Sequence, residues 1–233
     1  MIRWQRGDLE VTVLSAHGGV SIAVLLRQAG RFLLVDAGDG ASRELASRRV
    51  PAGALEGIVV THDHGDHSAG LPALLWWLRL ERRTTPVPVL LPSDAPLAHG
   101  GVALFLEALG ERARLAVEVR TLAAEQLERL GPFAVTPFPV RHRRSRSDPP
   151  GLLMEAYGLR IEAGGLRVAV SGDTGPAARL EREAAGADLA LLEAAAGGRA
   201  EPLPDTHLNR AEAERIGRLA REFRLYHLPS GQD

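Results

Sequence analysis

Three histidines and two aspartates fall within Thr61-His62-Asp63-His64-Gly65-Asp66-His67. They follow Gly57-Ile58-Val59-Val60-Thr61, an apolar run that reads as a buried strand. On an extended segment, residues two apart project to one side, so His62 and His64 can hold one cation together. Asp66 and His67 lie where the backbone turns into the next helix, and they can face a second cation. Imidazole nitrogen and carboxylate oxygen suit zinc, manganese or iron. The chain has no cysteine. Thiolate sites and disulfides are therefore excluded, and any metal must rest on His, Asp and Glu.

A site of this kind needs strands that end close together. Residues 11–14, 20–26 and 31–36 read as strands, and Gln28-Ala29-Gly30 reads as the turn joining the last two. Asp36-Ala37-Gly38-Asp39-Gly40 is a Gly-rich turn into a helix over 41–49. The pattern then predicts a helix over 68–82, a strand at 87–91, a helix over 97–109, and strands at 116–121 and 133–140. Residues 141–150 form a polar loop containing Arg141, Arg143, Arg144 and Arg146. A second hairpin pairs 154–162 with 166–170 about Ala163-Gly164-Gly165. A helix near 177–185, a strand at 188–192, a helix over 210–222 and a strand at 223–227 complete the pattern. Both halves run from strand-rich stretches into helix–strand alternation. The expectation is one α/β domain over residues 1–233, with helices covering the outer faces of paired sheets.

With 45% hydrophobic residues in a chain of 233, a sizeable core is available. A net charge of -1 supplies no global basic field for nucleic acid. All the Lys and Arg positions are Arg. The first residues lack the apolar stretch of a signal peptide, and no run approaches the roughly 20 apolar residues of a membrane span. The expectation is a cytoplasmic chain without membrane contact.

His62-Asp63-His64-Gly65-Asp66-His67 resembles the His-x-His-x-Asp-His signature of the metallo-β-lactamase superfamily. Further segments resemble that family in the right order. They are the Gly-rich turn at Asp36, His142 after a strand, Ser171-Gly172-Asp173-Thr174-Gly175, and Tyr226-His227-Leu228-Pro229. The resemblance implies a four-layer αββα sandwich. It also implies a metal hydrolase with two divalent cations, zinc first, with manganese or iron as alternatives. His62, His64 and His142 would hold one cation, Asp66, His67 and His227 the other, and Asp173 would bridge them. Water activated between the cations would attack phosphorus or a carbonyl carbon. Asp63 would orient the attacking water or take up a proton.

Within the superfamily the chain looks similar to ribonuclease Z and its cyclic phosphodiesterase relatives. Leu191-Leu192-Glu193-Ala194-Ala195 resembles a His-Glu-Ala-Thr box, with Leu192 and Ala195 as departures. Thr206-His207-Leu208-Asn209 resembles a His-Ser-Thr box, with Leu208 and Asn209 as departures. Glu193 would then orient His207, which would give a proton to the leaving alkoxide. Asn209 and Glu212 also have the spacing of a helix capping box. No long insertion offers an arm for gripping tRNA, and six residues follow His227. These features and the arginine loop favour a small or nucleotide-like phosphodiester over a large nucleic acid. Alternatives are a thioester, lactone or amide hydrolase, or a tRNA 3′ processing endonuclease. A homodimer is compatible with the sequence.

Overall fold

The computed structural model describes residues 2–110, 114–145, 147–149, 151–196 and 206–228. Four antiparallel strands come first: β1 (Ile2–Arg6), β2 (Leu9–His17), β3 (Ser21–Gln28) and β4 (Arg31–Val35). Then α1 (Ala41–Ser47), β5 (Leu55–Val59), α2 (Gly65–Ser68), α3 (Leu71–Leu80), β6 (Val87–Leu91), α4 (Pro96–Leu109) and β7 (Val117–Thr121) follow. Strands β1 to β7 lie in sequence order in one sheet, with β4 to β7 parallel.

The second half repeats the plan. Strands β8 (Glu128–Leu130), β9 (Phe133–Pro139), β10 (Tyr157–Ala163) and β11 (Leu166–Val170) pair antiparallel. After α5 (Ala178–Ala184), β12 (Leu189–Glu193), α6 (Arg210–Gly217) and β13 (Phe223–Tyr226), the sheet closes with β11, β12 and β13 parallel. Both expected hairpins have two-residue loops, Ala29-Gly30 and Gly164-Gly165. All four of those residues have positive φ, as a type I′ turn demands.

Side-chain alternation assigns the layers. In β3, Ile22, Val24 and Leu26 enter the core between the sheets, whereas Ala23 and Leu25 pack under the helices of the first half. In β12, Leu189 and Leu191 face the same inter-sheet core, while Ala190 and Leu192 face α5 and α6. These two strands are buried on both faces, so their apolar runs are nearly continuous. Full burial of one such Leu or Val is worth about 1.5–3 kcal/mol. The result is the expected four-layer αββα sandwich.

Three departures have physical causes. The helix expected over 68–82 starts only at Leu71, after the separate short α2, because the Gly70 amide is diverted to the Ala37 carbonyl at 2.8 Å and Pro72 has no amide to bond back into the preceding turn. The helix expected over 210–222 ends at Gly217, where the ring of Phe223 folds back against the glycine. Strands β1 and β8 were not expected; in β1 Trp4 alone of five residues is buried, so the apolar signal is thin. No helix among the described residues is long and apolar enough to cross a membrane.

Candidate metal centre

The C-terminal ends of the strands meet at one edge of the sandwich. His62, His64, Asp66 and His67 follow β5, His142 follows β9, Asp173 follows β11, and His227 follows β13. Ligand atoms of His62, His64, His142 and Asp173 all lie within 4.8 Å of one another, as do those of Asp66, His67 and His227. The two groups adjoin at Asp173, whose Oδ1 is 3.4 Å from His67 Nε2 and whose Oδ2 is 3.9 Å from His62 Nε2 and 3.3 Å from His227 Nε2.

Backbone and side-chain anchors aim each ring. His64 Nε2 donates to the Arg144 carbonyl at 2.8 Å, which turns Nδ1 inward. His142 Nδ1 donates to the Thr206 carbonyl at 2.7 Å, which turns Nε2 inward. His67 Nδ1 donates to Asp36 Oδ2 at 2.8 Å, and Asp36 Oδ1 accepts from the Thr61 amide at 2.8 Å. Asp66 Oδ2 accepts from the Gly19 amide at 2.7 Å. Outer hydrogen bonds of this kind fix both tautomer and orientation in metal-ligating histidines. Backbone geometry contributes too. Asp36 and His227 adopt positive φ (60° and 52°), a conformation that non-glycine residues keep where surrounding contacts enforce it. Gly172 sits at φ 59°, and a Cβ there would stand 2.5 Å from the Tyr157 carbonyl oxygen.

The donor set fits cations. Inward nitrogens of His64 and His142 are 3.0 Å apart, and each carries a lone pair because its ring proton is used on the outer carbonyl. His62 Nε2 is 3.2 Å from the same His64 nitrogen. Converging lone pairs repel unless a positive charge lies between them. His67 Nε2 and Asp173 Oδ1 are buried without a hydrogen-bond partner, which again leaves room for a positive species.

Electrostatics divides the rings. Burial pushes His142 down to about 3 and, with the neighbouring His67, holds His62 well below its ordinary value. Both are neutral and ready to ligate near pH 7. Burial opposes charge on His67 and His227 as well, but the Asp173 carboxylate, with Asp36 beside His67 and Asp66 beside His227, outweighs it and raises both. Burial likewise works against the carboxylates, yet the surrounding histidines hold Asp66 at about 2 and Asp173 well below the usual range.

A beta-lactamase superfamily domain matches residues 31–227. The chain belongs to this superfamily. The ribonuclease Z of Streptomyces coelicolor is 34% identical over 179 residues, covering 72% of this chain and 54% of that protein. The metallo-beta-lactamase fold protein YhfI from Bacillus subtilis aligns with a TM-score of 0.78 at 22% identity, covering 97% of this chain and 89% of that one. The short form of human tRNase Z aligns with a TM-score of 0.78 at 22% identity, covering 96% and 94%. At such identity the structures establish the fold. The chain spans between 32% and 54% of the length of the first curated relatives it matches.

This superfamily member places the remaining expected residues unevenly. Glu193 is buried, accepts from the amides of Thr174, Leu208 and Ala195, and lies 3.1 Å from His207 Nδ1. His207 Nδ1 is also 3.8 Å from Asp173 Oδ2, so the pair reaches the centre. The Asn209–Glu212 capping box is present as well, so the segment both starts α6 and delivers His207. Both oxygens of Asp63 are taken up by the amides of Leu97 and Ala98 at the start of α4. The Asp63 carboxylate thus caps a helix, a structural role that stands beside the one expected of it toward water or protons. Arg143 donates to the Asp148 carbonyl and Arg144 to Asp94 Oδ2, so neither guanidinium is held by the ligand set. Arg146 and Pro229 lie outside the described residues. Sequence reasoning missed Asp36 as the orienting partner of His67, although its Gly-rich turn was visible.

Proposed function

We propose that this chain is a phosphodiesterase working through two divalent cations, zinc first, on a small or nucleotide-like phosphodiester. The observation that carries the reading is the gathering of the expected ligands around Asp173, with His62, His64 and His142 in one group, Asp66, His67 and His227 in another, and His207 grouped beside Asp173 and His227. His62, His64 and His142 would hold one cation and Asp66, His67 and His227 the other, with Asp173 between them: its Oδ1 faces His67, and its Oδ2 lies between His62 and His227. Bound there, the cations would supply Lewis acidity, lowering the pKa of water and offsetting charge on phosphate oxygens. Glu193 accepts from His207 Nδ1 and orients the ring, which as an imidazolium would give its Nε2 proton to a leaving alkoxide and return to the neutral form. The likeness to a ribonuclease Z supports phosphorus as the electrophile. The same likeness favours an RNA 3′ processing activity as a second reading.

The test uses protein loaded with Zn(II) or Mn(II). It should bind two equivalents and cleave bis-p-nitrophenyl phosphate. His207→Ala should lower kcat about 10²–10⁴-fold on a dinucleotide, whose alkoxide needs a proton, and much less on p-nitrophenyl esters, whose leaving group does not. Hydrolysis of lactones or thioesters but of no phosphodiester would sink the reading. Cleavage of a precursor tRNA in preference to every small diester would favour the second one.

A further inference from the structure

An ion pair spans two loops of opposite sheets beside the centre. Arg144 lies in the loop after β9, and Asp94 in the loop after β6. Arg144 Nη2 donates to Asp94 Oδ2 at 2.7 Å, and the two side chains are 47% and 63% exposed. Water competes for both charges, so the pair by itself stabilises little and exchanges readily. Its position sets it apart from other surface pairs. The carbonyl of Arg144 holds His64 Nε2, so this guanidinium is tethered on the outward side of a ring whose Nδ1 faces His62 and His142. Neighbouring Arg143 differs: it is buried and donates to the Asp148 carbonyl within its own loop.

We propose that Arg144 binds a second phosphate of the substrate, one flanking the phosphodiester to be cut, by exchanging Asp94 for it. The proposal rests on the phosphodiesterase reading above. The phosphate to be cut belongs on the inward side of His64, with the ligand set. Arg144 lies beyond the opposite side of that ring, so the group it meets is the next one along the substrate. A guanidinium offers parallel N–H donors that match two oxygens of a phosphate, and a terminal phosphate monoester carries more charge than the single exposed carboxylate it displaces. Asp94 then has a second effect. It competes with the incoming phosphate, so its removal strengthens the contact.

Two chromogenic esters separate the terms: thymidine 5′-(p-nitrophenyl phosphate), and the same ester carrying a 3′-phosphate. Metal-loaded wild type should prefer the phosphorylated ester in kcat/KM by about tenfold or more, the effect of a charge-assisted hydrogen bond. Arg144→Ala keeps the backbone carbonyl on His64, so bound metal should be unchanged while the preference falls to about one. Arg144→Lys should retain part of it. Asp94→Asn should increase it, a gain that misfolding cannot mimic. Calorimetry with thymidine 3′,5′-bisphosphate should show weaker binding to Arg144→Ala and tighter binding to Asp94→Asn. Cleavage of both esters with a ratio that Arg144→Ala leaves unchanged, at intact metal content, overturns the proposal alone. Cleavage of bis-p-nitrophenyl phosphate but of neither thymidine ester also overturns the proposal alone, whereas cleavage of no phosphodiester at all overturns the phosphodiesterase reading and this proposal with it.

Discussion

Asp36 gives its carboxylate to Thr61 and His67, and that bond decides which nitrogen of His67 faces the centre. An amide at this position can present N–H to His67 Nδ1 and favour the other tautomer, which places a proton on Nε2. Asp36→Asn should therefore weaken metal binding about 10–100-fold, the usual scale for such outer partners. Chelator competition should show one cation lost well before the other. Two cations held as tightly as in wild type would refute the role. The candidate ligands that the fold brings together were legible in the sequence because chemistry restricts such groups to a few residue types in a fixed order. Their anchors were less so. Thr61 and His67 stand 25 and 31 residues from Asp36. The Gly19 amide and the Arg144 and Thr206 carbonyls are backbone groups, which any residue type supplies. Convergence explains the rest of the pattern: of the eight histidines, His62, His64, His67, His142 and His227 belong to the two ligand groups, and His207 stands beside them against Glu193.

At the scale of elements, Asp63 separates a helix cap from a catalytic group. Its oxygens accept from the first free amides of α4, at 2.9 Å from Leu97 and 2.8 Å from Ala98. Removing a cap of this kind costs about 0.5–2 kcal/mol. Asp63→Ala should lower the unfolding free energy by that amount in urea, while kcat per folded, metal-loaded molecule stays within about threefold, far from the losses of about 10²-fold or more that mark a proton-transfer group. A loss of kcat with stability intact would restore the catalytic reading. Gly38 makes the complementary case. A Cβ there would lie 2.1 Å from the Asp66 carbonyl and 2.6 Å from the Ile22 amide nitrogen, both backbone atoms. Gly38→Ala should shift the Asp66 segment and reduce bound metal together with stability, and normal metal content in that variant would contradict the close packing. The strands were legible wherever they are buried on both faces. The break between α2 and α3 was legible only in part: Pro72 marks the start of a helix, but the diversion of the Gly70 amide to the Ala37 carbonyl is a tertiary contact that leaves no periodic signal.

At the scale of the molecule, the centre ties the two sheets together. Four expected ligands follow β5 of the first sheet, and His142, Asp173 and His227 come from the second. A cation that binds only the folded state adds RT ln(1 + [L]/Kd), about 4 kcal/mol when free metal is a thousandfold above Kd. In a chain of this size that raises Tm by about 10 °C. The gain should also depend on pH, with a sign set by His67 and His227. Their pKa values are raised in the fold, so in metal-free protein their contribution is complete below the unfolded value of about 6.5 and is lost as pH rises through the folded values. Bound cations replace those protons, and metal affinity rises over the same window because fewer protons must leave. Thermal melts from pH 6 to 9 should therefore show metal-free protein losing Tm with rising pH while metal-loaded protein holds its own. The gap between the curves should widen toward alkaline pH. A gap that is constant or narrows would mean that His67 and His227 are neutral in the metal-free fold, against the carboxylates that surround them.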